Sequence, residues 1–174
     1  VTLGTSFKWG GVVNISPQQI YNINMLNNNS QILHSIIVNA IIEKDGKILI
    51  SQRSFEEKHE PGKWTIPGGK VEFTHGNVFH IIEKTLAKEV KEEVGIKISA
   101  NVELLTNNTF IRSDGTHVVA LMFLCHYESG EAKPLEDTLD VRWIAENELS
   151  NYDFSPNVEG YIKLAFEKLK ITKI

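Results

Sequence analysis

In residues 88–96, Lys-Glu-Val-Lys-Glu-Glu-Val-Gly-Ile, three acidic side chains fall at i, i+3 and i+4: Glu89, Glu92 and Glu93. On a helix this spacing brings all three carboxylates to one face, near the C-terminal end. Like charges so placed repel and destabilise an isolated helix. A sequence that keeps them together is arranged for a cation, and hard oxygen donors suit Mg2+, with Mn2+ as the alternative. A Glu/Lys-rich helix by itself is usually a solvated face with i,i+4 pairs. Here, however, it follows Pro67-Gly68-Gly69-Lys70-Val71-Glu72 and stops at Gly95, so turn, helix and stop form one pattern.

The remaining elements must position that face. Residues 36–42 and 47–51 are β-rich runs around Asp45-Gly46, a hairpin signal. Residues 60–70 are rich in Gly and Pro and imply loop or short strand. The acidic helix is expected over residues 78–94, with Asn77 as N-cap and Gly95 as a left-handed stop. Ala87, Val90 and Val94 are expected to pack on a sheet, and Lys84, Lys88 and Lys91 to face solvent. Residues 102–110 and 116–127 predict a second hairpin around Asp114-Gly115, and the apolar run 117–126 predicts a centrally buried strand. A short strand over 141–145 and a helix over 158–170, apolar at Ile162, Ala165, Phe166 and Leu169, complete the chain. Hairpins mixed with crossover helices imply an α/β chain of the α+β type, with a mixed sheet between helical layers.

The 174 residues are enough for one domain with a full core. Residues 1–31 differ in being rich in Asn, Gly, Ser and Gln, and are expected to be an N-terminal arm or partly ordered extension to a domain over 32–174. A net charge of −4 implies no broad basic surface and argues against a general nucleic-acid binder. A phosphorylated small molecule remains compatible, because a bound divalent cation can reverse the local charge. Cys125 is the single cysteine, so no internal disulfide forms and a reducing compartment is the default. No apolar run nears the roughly 20 residues of a membrane span, and the start lacks a signal-peptide pattern. The expectation is a cytoplasmic protein without a membrane partner.

Gly68-Gly69-Lys70-Val71-Glu72, a helix, and then Lys88-Glu89-Val90-Lys91-Glu92-Glu93-Val94-Gly95-Ile96 resemble the Nudix box, G-x5-E-x7-R-E-U-x-E-E-x-G-U, where U is bulky and apolar. Trp64-Thr65-Ile66-Pro67 resembles the family lead-in, and Val141-Arg142-Trp143-Ile144 its late strand. The resemblance covers about residues 33–170 and departs from the pattern in three places. Lys88 stands where the family has Arg, and lacks the planar fork that grips a carboxylate through two bonds. The stretch from Gly69 to Lys88 is about five residues longer than the pattern. The first Glu is missing, and counting back from Lys88 puts His80 at its place.

The resemblance implies a Nudix-like mixed sheet sandwiched between helices, and a Mg2+-dependent pyrophosphohydrolase. It assigns metal ligation to Glu89, Glu92 and Glu93 with a backbone carbonyl of Gly68 or Gly69. The base would be one of these carboxylates, or Glu136 or Asp137 from a later loop. Arg53 would contact phosphate. In Asp153-Phe154-Ser155-Pro156-Asn157 the Asn resembles one that reads a purine base, while helix capping is the competing role for Asn157. The implied substrate is a nucleoside triphosphate, cleaved to the monophosphate and pyrophosphate. The alternatives are an ADP-ribose or nucleoside diphosphate-sugar hydrolase, or a ligand-binding module with little turnover, which Lys88 and the missing Glu would favour. The resemblance also carries an expectation of homodimerisation, to which the N-terminal segment could contribute.

Overall fold

The structure, a computed structural model, describes residues 34–172, so the expectation for residues 1–31 lies outside the described residues. The central element is β1, Ser35–Lys44, with the near-continuous apolar sequence Ser-Ile-Ile-Val-Asn-Ala-Ile-Ile-Glu-Lys. Such a strand is buried on both faces. Val38, Ala40 and Ile42 point into one apolar layer and Ile41 into the other. β2, Lys47–Arg53, returns through the Asp45-Gly46 turn, whose φ angles of 52° and 77° are those of a tight hairpin. β3, Trp64–Thr65, and β4, Gly68–Lys70, are short strands within the Gly- and Pro-rich stretch. Then come α1, Ile81–Val94; β5, Lys97–Ile98; β6, Glu103–Ile111; β7, His117–Ser129; β8, Thr138–Ile144; a 3-10 helix, Glu146–Asn151; and α2, Val158–Thr172.

The eight strands form one mixed sheet. β1 runs parallel to β7, from Ser35 opposite Val118 to Glu43 opposite His126. Its other edge is shared, by β2 at residues 42–44 and by β4 at residues 37–39. β6 pairs antiparallel with β7, and β8 with β2. One face of the sheet packs Ile41, Ile48, Ile50 and Met122 against Leu149 of the 3-10 helix and Val158, Ile162, Ala165 and Phe166 of α2. The other packs Val38, Ala40, Ile42 and Leu49 against Leu86, Val90 and Val94 of α1. The expected mixed sheet between helices is therefore the observed architecture, and both expected hairpins are present.

Two local expectations fail on α1. It begins at Ile81, three residues later than expected, and Asn77 does not cap it. His80 takes that place in a left-handed conformation (φ 57°) without a side-chain cap bond. Val78 and Phe79 are exposed and find no core to pack on, so nothing extends the helix backward. Ala87 is exposed as well, and Leu86 carries the buried position instead. At 100° per residue, Leu86, Val90 and Val94 form a drifting i, i+4, i+8 stripe, and Ala87 lies past its edge. At the other end Gly95 stops the helix as expected, with φ 75° and its N–H on the Lys91 carbonyl.

Leu86 is fully buried at the centre of the α1 layer. Leu86→Ala should destabilise the protein by about 2–5 kcal/mol, the usual range for a buried leucine truncation. A urea denaturation curve would show the shift in midpoint at unchanged slope.

Candidate active site

The drift of the apolar stripe decides the setting of each carboxylate. Counting 100° per residue from Leu86, Glu93 falls inside the core-facing arc, Glu89 at its flank, Glu92 further out and Lys88 beyond that. The observed exposures follow this order. Glu93 is largely buried, and the side chains of Glu89, Glu92 and Lys88 are 16%, 37% and 48% exposed.

Glu93 is tied to the glycine turn: the Gly68 N–H donates to its Oε2 at 3.2 Å. β4 can come this close to β1 and α1 because both glycines lack a Cβ. At Gly68 a Cβ would collide with the Val38 carbonyl and Asn39, and at Gly69 with the Glu89 carboxylate. Burial, with Glu89 and Glu136 nearby, outweighs the Gly68 bond and the Arg53 charge, and pushes the Glu93 carboxyl up to about 8. Burial likewise raises the Glu89 carboxyl, against the opposing pull of Lys88.

Glu89 and Glu92 turn toward Lys88. Its Nζ lies 3.1 Å from Glu92 Oε2, 3.4 Å from Glu89 Oε1 and 3.7 Å from Glu72 Oε1. The hydrogen bond to Glu92, and then the charge of Glu89, hold the ammonium well above its usual range. Glu72 has no assigned role in the family pattern as read from the chain. Its signal was its position in the same glycine run, one loop ahead of the helix that carries Lys88.

Glu136 joins the site. It lines an open groove of about 600 Å³ with Lys88, Lys91, Glu92 and Leu135, and its backbone is left-handed (φ 42°). For Asp137 the observed contact is through the backbone, its carbonyl accepting from the Ser54 N–H at 2.8 Å. Arg53 ends β2 beside a register shift. Its charge acts on Glu93, but its guanidinium is already engaged, Nη2 with Glu57 at 3.1 Å and Nε with the His59 carbonyl at 2.9 Å. Asn157 is exposed before α2 at φ 68°.

The donor set suits a hard divalent cation. Three carboxylates share one helix face beside a glycine turn, and burial holds the most buried of them neutral up to about pH 8. Among the described residues no three such side chains already close into a cage. Two of the three face Lys88 instead.

Residues 33–164 match the sequence model of the NUDIX domain. The chain belongs to the Nudix family. An ADP-ribose pyrophosphatase of Methanocaldococcus jannaschii is 30% identical over 141 residues, covering 80% of this chain and 71% of its own. The nucleoside triphosphatase NudI of Escherichia coli is 27% identical over 137 residues, covering 74% and 94%. A MutT Nudix hydrolase of Burkholderia pseudomallei superposes with a TM-score of 0.60 at 28% identity, covering 79% of this chain and 98% of its own. The protein is thus a Nudix hydrolase, an enzyme acting on a diphosphate linkage. No helix among the described residues is long and apolar enough to cross a membrane.

The raised Glu93 carboxyl has a consequence for stability. Between its unfolded value of 4.5 and about 8, the folded state holds a proton that the unfolded state has lost. Metal-free protein therefore loses stability as pH rises through that window. Glu93→Gln keeps an acceptor for the Gly68 N–H and removes the charge. In the presence of a chelator the variant should match the parent near pH 4.5. Above pH 8 it should exceed the parent by roughly 2–4 kcal/mol, a discounted conversion of the shift. Thermal melts across this range test the sign directly.

Proposed function

We propose that the protein is a Mg2+-dependent Nudix pyrophosphohydrolase that cleaves a nucleoside triphosphate to the monophosphate and pyrophosphate. Glu89, Glu92 and Glu93, with a carbonyl of Gly68 or Gly69, would hold the metal, and Mn2+ could replace Mg2+. When bound, such a cation neutralises the diphosphate and makes an attacking water more acidic. The protein's own share is positioning and electrostatics, since phosphoryl-type transfer needs little covalent chemistry from side chains. Lys88 and Lys91 line the groove and offer positive charge to the phosphates. Glu136 is a better candidate than Asp137 for accepting the water proton, because its side chain lines the groove beside Glu92. Arg53 can reach a phosphate by giving up Glu57, a partly exposed i,i+4 pair of modest strength.

The observation that carries the triphosphate reading is the placement of the segment ending in Asn157. The Trp64 N–H donates to the Asp153 carbonyl and the Ser155 N–H to the Trp64 carbonyl, both at 2.9 Å. Trp64 opens the run into the glycine turn, so the proposed base-reading segment is stitched to the strand that leads to the metal ligands. The Asn157 amide is exposed and makes no hydrogen bond among the described residues, and its positive φ is unlike that of an N-cap. It is free to pair with a base edge through one donor and one acceptor. NudI, named as a nucleoside triphosphatase, supports this reading. The relative from M. jannaschii, named as an ADP-ribose pyrophosphatase, favours a second one, in which ADP-ribose is the substrate.

A panel of nucleoside triphosphates, ADP-ribose and nucleoside diphosphate-sugars, assayed with and without Mg2+, separates the two. The expected result is metal-dependent pyrophosphate release from a triphosphate; turnover of ADP-ribose alone would establish the second reading. Glu92→Gln should lower turnover at saturating Mg2+ by roughly 100-fold or more while the fold survives. Asn157→Gly keeps the left-handed backbone and removes only the amide. It should reduce kcat/KM for the best purine triphosphate by about 5- to 150-fold and leave poor substrates nearly unchanged. An unchanged ranking of nucleotides would sink the base-reading role.

A further inference from the structure

We propose that Lys88 is a tethered counter-cation, which occupies the carboxylate cluster until a divalent ion displaces it and so sets the metal concentration the enzyme requires. The inference rests on the metal-site reading above. Its observation is the disposition of the acids: Glu72, Glu89 and Glu92 all approach Lys88 Nζ, at 3.7, 3.4 and 3.1 Å. They do so instead of converging on one another, since no three acids among the described residues close into a cage.

The side-chain chemistry fits this role. An ammonium is a compact charge with three donors that can be shared among several carboxylates, whereas a guanidinium commits its planar fork to one. A divalent ion entering the same oxygens meets a like charge at contact distance, so it binds well only after Lys88 withdraws. Withdrawal is easy. The Lys88 side chain is 48% exposed on a flexible stem, its pairs with Glu72 and Glu92 are of the weak exposed kind, and the adjoining groove of about 600 Å³ gives it room. Glu72 reaches the cluster from the loop between β4 and α1, so exchange of one cation for the other also frees that loop from the helix.

The test is direct Mn2+ binding, without substrate, followed by the electron paramagnetic resonance signal of the free ion. The parent is compared with Lys88→Met, which keeps length and loses charge, and Lys88→Arg, which keeps charge. Lys88→Gln serves if the methionine variant folds poorly by circular dichroism. Removing one exposed charge about 4 Å from the ion in high dielectric should tighten binding by roughly 5- to 30-fold in Lys88→Met. Lys88→Arg should stay within about 3-fold of the parent, because the charge remains. Equal or weaker Mn2+ binding by Lys88→Met, with the parent binding measurably, overturns the counter-cation role and leaves the metal site standing. Absence of binding in every variant overturns both.

Discussion

One constraint organises this molecule: the helix face that carries three carboxylates runs alongside the face packed against the sheet and overlaps it at one position. The apolar stripe of α1 and its acidic stripe overlap, and Glu93 lies where they cross. Burying a carboxylate costs free energy unless it is hydrogen-bonded and charge-compensated. The surroundings of Glu93 answer that cost in part. Gly68 donates a backbone N–H, Arg53 lends its field and Lys88 draws the outer acids aside. What is left uncompensated is the charge that the proposed cation would supply.

The sheet makes this tolerable. β1 is buried on both faces and paired along both edges, so the surface beneath α1 is closely packed. Its edge is divided between β2 and β4, and the division brings the glycine turn beneath the helix. The same edge arrangement carries Arg53 to the end of β2 and Glu136 to the loop ahead of β8. Site residues far apart in the chain thus hang from one strand, and the helix supplies only the acids.

Lys88 shows how a departure from a family pattern can be absorbed. An arginine at that place could grip one carboxylate through its fork. The lysine instead sits among three acids, one of them Glu72 from the lengthened loop. Loop length and residue type at position 88 are therefore linked in space, although sixteen positions separate Glu72 from Lys88 in the chain.

Much was legible in the chain because it rests on local rules. Period-2 and i, i+4 patterns, Asp-Gly turns and the Gly95 stop determined the long strands, both hairpins and the course of both helices, though not the short β5, and the spacing of Glu89, Glu92 and Glu93 pointed to the family. Local rules failed where tertiary packing overrode them. Asn77 is a good cap in sequence, but Val78 and Phe79 found no core, so the helix began at Ile81. Ala87 was expected inside, and the 100° drift that put Leu86 there instead also buried Glu93. The position of Glu72 beside Lys88, the engagement of Arg53 by Glu57 and the left-handed backbone of Asn157 were set by how separate segments meet. Spacing along a chain determines which side chains share a face; burial and charge compensation depend on what is packed opposite, and only the folded structure decides that.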